Sequence, residues 1–254
     1  MEVGQGVRRF GTRFINGYLI EDGGRLTLLD TGLPGYWRHL LRELDAMGRR
    51  MEDIDAILVT HAHPDHWGTA ERVRSASGAK VYAHPLDIPD LTGKGGEGKP
   101  PPFFKQGFRP FLYRYMIHAL SHGVTRLAPI AAVNEFADGE VVQVPGNPRV
   151  VHAPGHTAGH CALHLKDRDI LFSGDAICTI DLLTGRPRPA LPADFVNQDS
   201  AVAFESLTRL ERLEAATMLT GHGEPWKGGV KQAVEIARAG AREWVKASGA
   251  KTPT

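Results

Sequence analysis

The sequence predicts an α/β fold in which sheets are sandwiched between helices. Strands and helices alternate along the chain through two similar halves. Each half contains an apolar hairpin that ends in a short polar-glycine segment, Asp30-Thr31-Gly32 in the first and Ser173-Gly174-Asp175 in the second. Polar residues then gather where strands run out into loops, the place where layered α/β proteins build their sites.

The first half opens with a hairpin over residues 17–32. Tyr18-Leu19-Ile20 and Leu26-Thr27-Leu28-Leu29 flank the turn residues Glu21-Asp22-Gly23-Gly24. Leu40, Leu41, Leu44 and Met47 recur at helical spacing and predict a helix over 36–47, stopped at Gly48. Ala56-Ile57-Leu58-Val59 is apolar throughout and reads as a strand buried on both faces. It leads into Thr60-His61-Ala62-His63-Pro64-Asp65-His66. A helix over 67–77, a stop at Gly78 and a strand over 80–83 complete a β-loop-α-β unit.

Residues 90–130 break this rhythm. Positions 92–102 are rich in Gly, Lys and Pro and read as a loop. Phe103, Phe104, Phe108, Phe111, Tyr113, Tyr115 and Met116 follow, so an aromatic-rich insertion with one helix over 109–121 is expected.

The second half has strands over 141–151 with a Pro145-Gly146-Asn147 turn, then a hairpin over 161–172. A Pro-rich loop spans 185–192. Phe204, Leu207, Leu210 and Leu213 give a helix over 200–214 an apolar face, with Asp199 as its N-cap. A strand over 217–220 ends at Gly221-His222-Gly223, and a last helix covers 229–247.

The 254 residues carry 30 basic and 29 acidic side chains, a formal net charge of +1. A nucleic-acid or anionic-membrane binder usually shows a basic excess, so neither is expected as a partner. Cys161 and Cys178 are too few for a disulfide framework. The charged start lacks an apolar signal region, and no long apolar stretch follows. A soluble, cytoplasmic, single-domain protein over residues 1–254 is the expectation.

The informative residues are histidines. His61 and His63 lie two apart in an extended segment, so both rings point to one side. Asp65 and His66 follow at a helix start. His156 sits in the glycine-rich turn Pro154-Gly155-His156-Thr157, where backbone can approach closely. Asp175 and His222 end later strands. Three His and one Asp within six residues after a buried strand have little structural use without a metal. Histidine and carboxylate donors without thiolate suit zinc, iron or manganese. His39, His84, His118, His122 and His152 read as ordinary surface or packed histidines. His160 reads as structural or as a support for a ligand.

The segment Thr60 to His66, followed in order by Pro154-Gly155-His156, Ser173-Gly174-Asp175 and Gly221-His222-Gly223, resembles the metallo-β-lactamase superfamily. Asp30-Thr31-Gly32 precedes them as in that family. The resemblance covers residues 15–225 and implies an αββα four-layer sandwich. It also implies two divalent ions, zinc first, with iron or manganese as alternatives. His61, His63 and His156 would hold one ion; Asp65, His66 and His222 the other; Asp175 would bridge. A hydroxide shared by two ions would attack a carbonyl, with Asp65 orienting it and carrying its proton.

Departures from known branches narrow the substrate. Asp175 is followed by Ala176-Ile177-Cys178, whereas glyoxalase II-type thioesterases carry Gly-Cys-Gly-Arg there. Homoserine lactonases often have Tyr where Cys178 stands. Zinc β-lactamases do not usually place a bridging Asp at position 175. The expected activity is hydrolysis of a small-molecule carboxylic ester, thioester or lactone. A mononuclear iron dioxygenase of the persulfide type and a weakly active β-lactamase-like hydrolase are the alternatives. The aromatic insertion at 103–116 is expected to wall the pocket; packing on the core or on a homodimer partner is the rival role.

Overall fold

Alternation within fully apolar strands builds the layers. In the computed structural model, which describes residues 1–95 and 106–248 with side chains through Ala241, seven strands form one sheet in chain order. They are β1 (Glu2–Gly4), β2 (Val7–Gly11), β3 (Asn16–Asp22), β4 (Arg25–Leu29), β5 (Ile54–Leu58), β6 (Lys80–Ala83) and β7 (Asn134–Glu135). The first four pair antiparallel and the last four parallel. A second sheet holds β8 (Arg149–His152), β9 (Cys161–Leu165), β10 (Ile170–Gly174) and β13 (Thr217–Thr220), in the order β13-β10-β9-β8. Strands β11 (Cys178–Ile180) and β12 (Pro187–Ala190) make a separate ribbon.

Successive side chains on a strand face opposite ways. Tyr18, Ile20, Leu29 and Leu58 of the first sheet therefore meet Cys161, Leu163, Phe172 and Leu219 of the second. Their neighbours Leu19, Leu28 and Ile57 face outward onto Leu40 and Leu44 of α1 (Trp37–Ala46) and Val73 of α3 (Ala70–Ser77). Ala162, Leu171 and Met218 face outward onto Leu207 and Leu210 of α6 (Ser200–Glu211) and Val234 and Ala237 of α7 (Val230–Ser248). The result is the expected αββα stack. Each large apolar side chain buried this way contributes about 1.5–3 kcal/mol before chain entropy is counted. Asp199 caps α6, accepting hydrogen bonds from the amides of Ala201 and Val202.

Several local expectations change. The first eleven residues form β1 and β2, which lack the long alternation that marks a strand in sequence. The helix expected over 67–77 divides into α2 (Pro64–Trp67) and α3. The break is tertiary: Gly68 and Thr69 donate their amides to Gly32 O and Thr31 Oγ1, not to a preceding helical turn. The Pro-rich loop contains β12. Both ribbon strands are edges, so the missing N–H groups of Pro187 and Pro189 need no partner there. The hairpin expected over 141–151 is reduced to β8 and one bridge from Val141 to Arg149. The insertion supplies α4 (Ile88–Leu91) and α5 (Pro110–Ser121). Among the described residues no helix is long and apolar enough to cross a membrane.

Candidate metal centre

β4 and β5 deliver the first half of the site, and the second sheet delivers the rest. Asp30 follows β4 and has a positive φ of 51°, which turns its carboxylate under the 60–66 loop. It is 1% exposed and accepts hydrogen bonds from Thr60 N at 2.9 Å, Thr60 Oγ1 at 2.8 Å and His66 Nδ1 at 2.8 Å. Because the Thr60 hydroxyl donates to Asp30, its oxygen can accept from His61 Nδ1 at 3.0 Å. One buried carboxylate thus sets the tautomer of two rings, leaving Nε2 of His61 and of His66 as inward acceptors.

The other rings are held the same way by other partners. His156 Nδ1 donates to Asn197 Oδ1 at 2.8 Å, and His222 Nδ1 donates to the Phe14 carbonyl. Their Nε2 atoms face inward. His63 is the exception: its Nδ1 faces the centre, 2.8 Å from His156 Nε2. His160 donates from Nδ1 to Ala153 O and accepts the Asp175 amide at Nε2, 2.9 Å away, so it orients the Asp175 backbone.

All seven residues singled out in the sequence come together. Among the described residues, the groups of side chains able to hold an ion are His61/His63/His156, His61/His66/Asp175 and Asp65/His66/His222. Within each group the donor atoms lie within 4.8 Å of one another. Asp175 Oδ2 lies 2.9 Å from His222 Nε2, 3.4 Å from His156 Nε2 and 3.7 Å from His66 Nε2. It therefore reaches both halves. Asp65 Oδ2 lies 3.5 Å from His222 Nε2 and 3.8 Å from His66 Nε2. Gly221 makes this approach possible: a Cβ there would sit 2.1 Å from Asp175 Oδ1.

The donor set fits a metal. His61 Nε2, His66 Nε2 and Asp175 Oδ1 are buried with no hydrogen-bond partner. Leaving such groups unpaired is costly, and an ion would meet all three. Burial, reinforced by neighbouring rings, holds His61 well below its usual value and His63 at about 3, so both stay neutral as ligands must. Burial alone would raise the Asp175 carboxyl, but His222 and His66 outweigh it and keep it ionised. Burial opposes charge on His66 too, but Asp175, Asp30 and Asp65 outweigh it and raise its affinity for a proton. A divalent cation would relieve the same concentration of negative charge.

Two contributors, Asn197 and Asp87, were not expected from the sequence, and Tyr115, expected only as part of the pocket wall, does more. Tyr115 of α5 donates its hydroxyl to Asp65 Oδ2 at 2.7 Å. Asn197 holds His156. Asp87, 2% exposed, accepts from Ala62 N, Thr157 Oγ1 and Gly159 N, tying the 61–66 loop to the 156 loop. No local motif marks these residues; each depends on a contact between distant segments.

The insertion meets its expectation only in part. Tyr115 reaches the centre. Phe111 is buried against Phe14, with ring centroids 5.4 Å apart, and lies over Gly185. Phe108 is 82% exposed. Phe103, Phe104 and most of the 92–102 loop lie outside the described residues. Cys178 is buried, and burial followed by the charges of Asp175 and Asp65 pushes its thiol well above its usual value. It stays protonated and is a poor nucleophile.

Comparison with known proteins agrees with this architecture. The chain is 30% identical over 242 residues to the probable metallo-hydrolase YflN of Bacillus subtilis, covering 89% of this chain and 87% of that one. It is 28% identical over 181 residues to a hydroxyacylglutathione hydrolase of Cereibacter sphaeroides, spanning 70% of this chain and 52% of that relative. A metallo-beta-lactamase family protein from Thermus thermophilus superposes with a TM-score of 0.70 at 25% identity, covering 95% of this chain and 81% of its own. A Cronobacter sakazakii metallo-beta-lactamase mutant gives 0.71 at 23% identity, with 99% and 98% covered, a likeness of fold alone. The superfamily's family model matches residues 10–222, from β2 through the last of the converging histidines. With that span matched, the chain belongs to the metallo-beta-lactamase superfamily, whose members are metal-dependent hydrolases.

Proposed function

We propose that this chain hydrolyses a carboxylic ester, thioester or lactone of a small molecule at a dinuclear metal centre. The observation that carries the reading is the set of buried, unpartnered donor atoms on His61, His66 and Asp175, surrounded by the other four residues. His61, His63 and His156 would hold one ion, Asp65, His66 and His222 a second, with Asp175 between them. Two divalent ions there, zinc first and iron or manganese as alternatives, would supply Lewis acidity and a water acidic enough to attack a carbonyl at neutral pH. Asp65 accepts the proton of the attacking water. The Tyr115 hydroxyl keeps the Asp65 carboxylate turned toward the centre. His156 and His222 keep their positions through Asn197 and the Phe14 carbonyl. The similarity to a hydroxyacylglutathione hydrolase favours a thioester within the three bond types.

Elemental analysis after reconstitution with zinc tests the centre: about two ions per chain are expected. A stoichiometry that stays at one under saturating metal would overturn the dinuclear reading. A panel of thioesters, lactones and aryl esters tests the reaction. Metal-dependent turnover of none of them would overturn the hydrolase reading.

A further inference from the structure

A cavity of about 420 Å³ lies between the β11–β12 ribbon, α6 and the middle of α7. Its volume falls within the range of small-molecule sites. Ile180, Leu182, Leu191, Phe204 and Ala237 give it an apolar lining. Two further wall residues adjoin the candidate centre. Asn197 holds His156, and Cys178 sits close enough to Asp175 and Asp65 to feel both charges.

The cavity also holds an unmatched cation. Arg188 forms no ion pair and donates no hydrogen bond among the described residues, and its Nε is buried without a partner. Its guanidinium lies over Gly240 of α7, where a Cβ would come within 3.4 Å of Nη2. The carboxylates around it are otherwise placed. Asp181 accepts the amides of Leu183 and Thr184, Asp199 caps α6, and Asp194 is exposed. Cys178 pairs with Ala190, and Arg188 precedes Ala190 by two residues in β12, where the register between the two strands shifts. Arg188 and Ala190 both line the cavity.

We infer that this cavity binds the acyl part of the substrate and that Arg188 recognises a carboxylate at the far end of a short apolar chain. The inference rests on the hydrolase reading and narrows it to ω-carboxyacyl esters or thioesters. Guanidinium binds carboxylate through paired N–H groups, and the apolar walls raise the strength of that contact.

The test uses metal-loaded protein and two matched aryl esters, hexanoyl and 5-carboxypentanoyl, which differ in the terminal carboxylate. The wild type should favour the carboxylated ester in kcat/KM by about tenfold to a hundredfold, chiefly through KM. Arg188→Met should abolish that preference, Arg188→Lys should keep part of it, and Arg38→Met, an equal charge change on the exposed face of α1, should leave it intact. Adipate should raise the melting temperature more than hexanoate in the wild type, and Arg188→Met should erase the difference. No preference in the wild type, or a preference that survives Arg188→Met, would overturn the assignment. If neither ester is hydrolysed, the hydrolase reading fails for these bonds. The adipate comparison still decides whether Arg188 binds a carboxylate, because it needs no turnover.

Discussion

Two clusters of histidines lie in this molecule, and they differ in what surrounds the rings. In the candidate centre, His61, His63, His66, His156 and His222 converge on Asp65 and Asp175, with Asp30 behind them. Four rings give one nitrogen to a protein acceptor and aim the other inward. The second cluster joins α1 to α5: the rings of His118 and His122 lie 4.0 Å apart, and Tyr36 and His39 pack beside them. There His118 Nε2 meets the Tyr36 hydroxyl at 2.8 Å, and His122 Nδ1 donates to His118 O. Among the described residues no carboxylate bonds to these rings and no group able to hold an ion forms there. Imidazoles in proximity are therefore not enough. What makes a metal centre is inward lone pairs fixed by outer acceptors, together with buried anions that an ion can neutralise.

Removing the anions should push the first cluster toward the second. Asp65→Ala carries the largest expected effect. In protein kept fully metallated, turnover should fall by about 10²–10⁴-fold, the usual worth of a positioned proton acceptor. Near wild-type turnover at full metal occupancy would leave Asp65 without a proton role.

Asp30→Asn is the next step down. It keeps the shape but cannot accept from Thr60 N, Thr60 Oγ1 and His66 Nδ1 together. Metal affinity should drop by about 10–100-fold, as it does when the partner of a ligating histidine is lost. Competition with a chelator measures this directly; unchanged affinity would show that the ring tautomers are set elsewhere.

The smallest effect should come from the second cluster. Burial, followed by the neighbouring rings of His122 and His39, lowers His118 to about 4. An unfolded histidine titrates near about 6.5. Between these values the unfolded chain binds more protons than the folded one, so His118 lowers stability as the pH falls from about 6.5 to 4. His118→Gln should make the decline in melting temperature shallower over that window in metal-loaded protein, with metal content unchanged. The ring is partly exposed, so solvent screening keeps the effect small. An identical decline in wild type and variant would remove His118 as a source of acid sensitivity.

The layered fold and all seven candidate ligands are legible in the sequence because their signals are local. Apolar runs such as Ala56 to Val59 mark buried strands, and His61, His63, Asp65 and His66 sit within one short loop. The ordered later motifs carry His156, Asp175 and His222. The packing of the two sheets then brings these segments together at the ends of strands from both. The supports of the site were not legible, because each is a contact between segments far apart in the chain. Tyr115 meets Asp65 across 50 residues, Asn197 meets His156 across 41, and Asp87 joins two loops that no spacing relates. Sequence chemistry alone determined which side chains could bind a metal. Tertiary packing decided which nitrogen of each ring faces the centre, which buried carboxylate stands behind it, and that Arg188 ends in a cavity without a partner among the described residues. Those outcomes depend on three-dimensional distance and desolvation, which no run of neighbouring residues encodes.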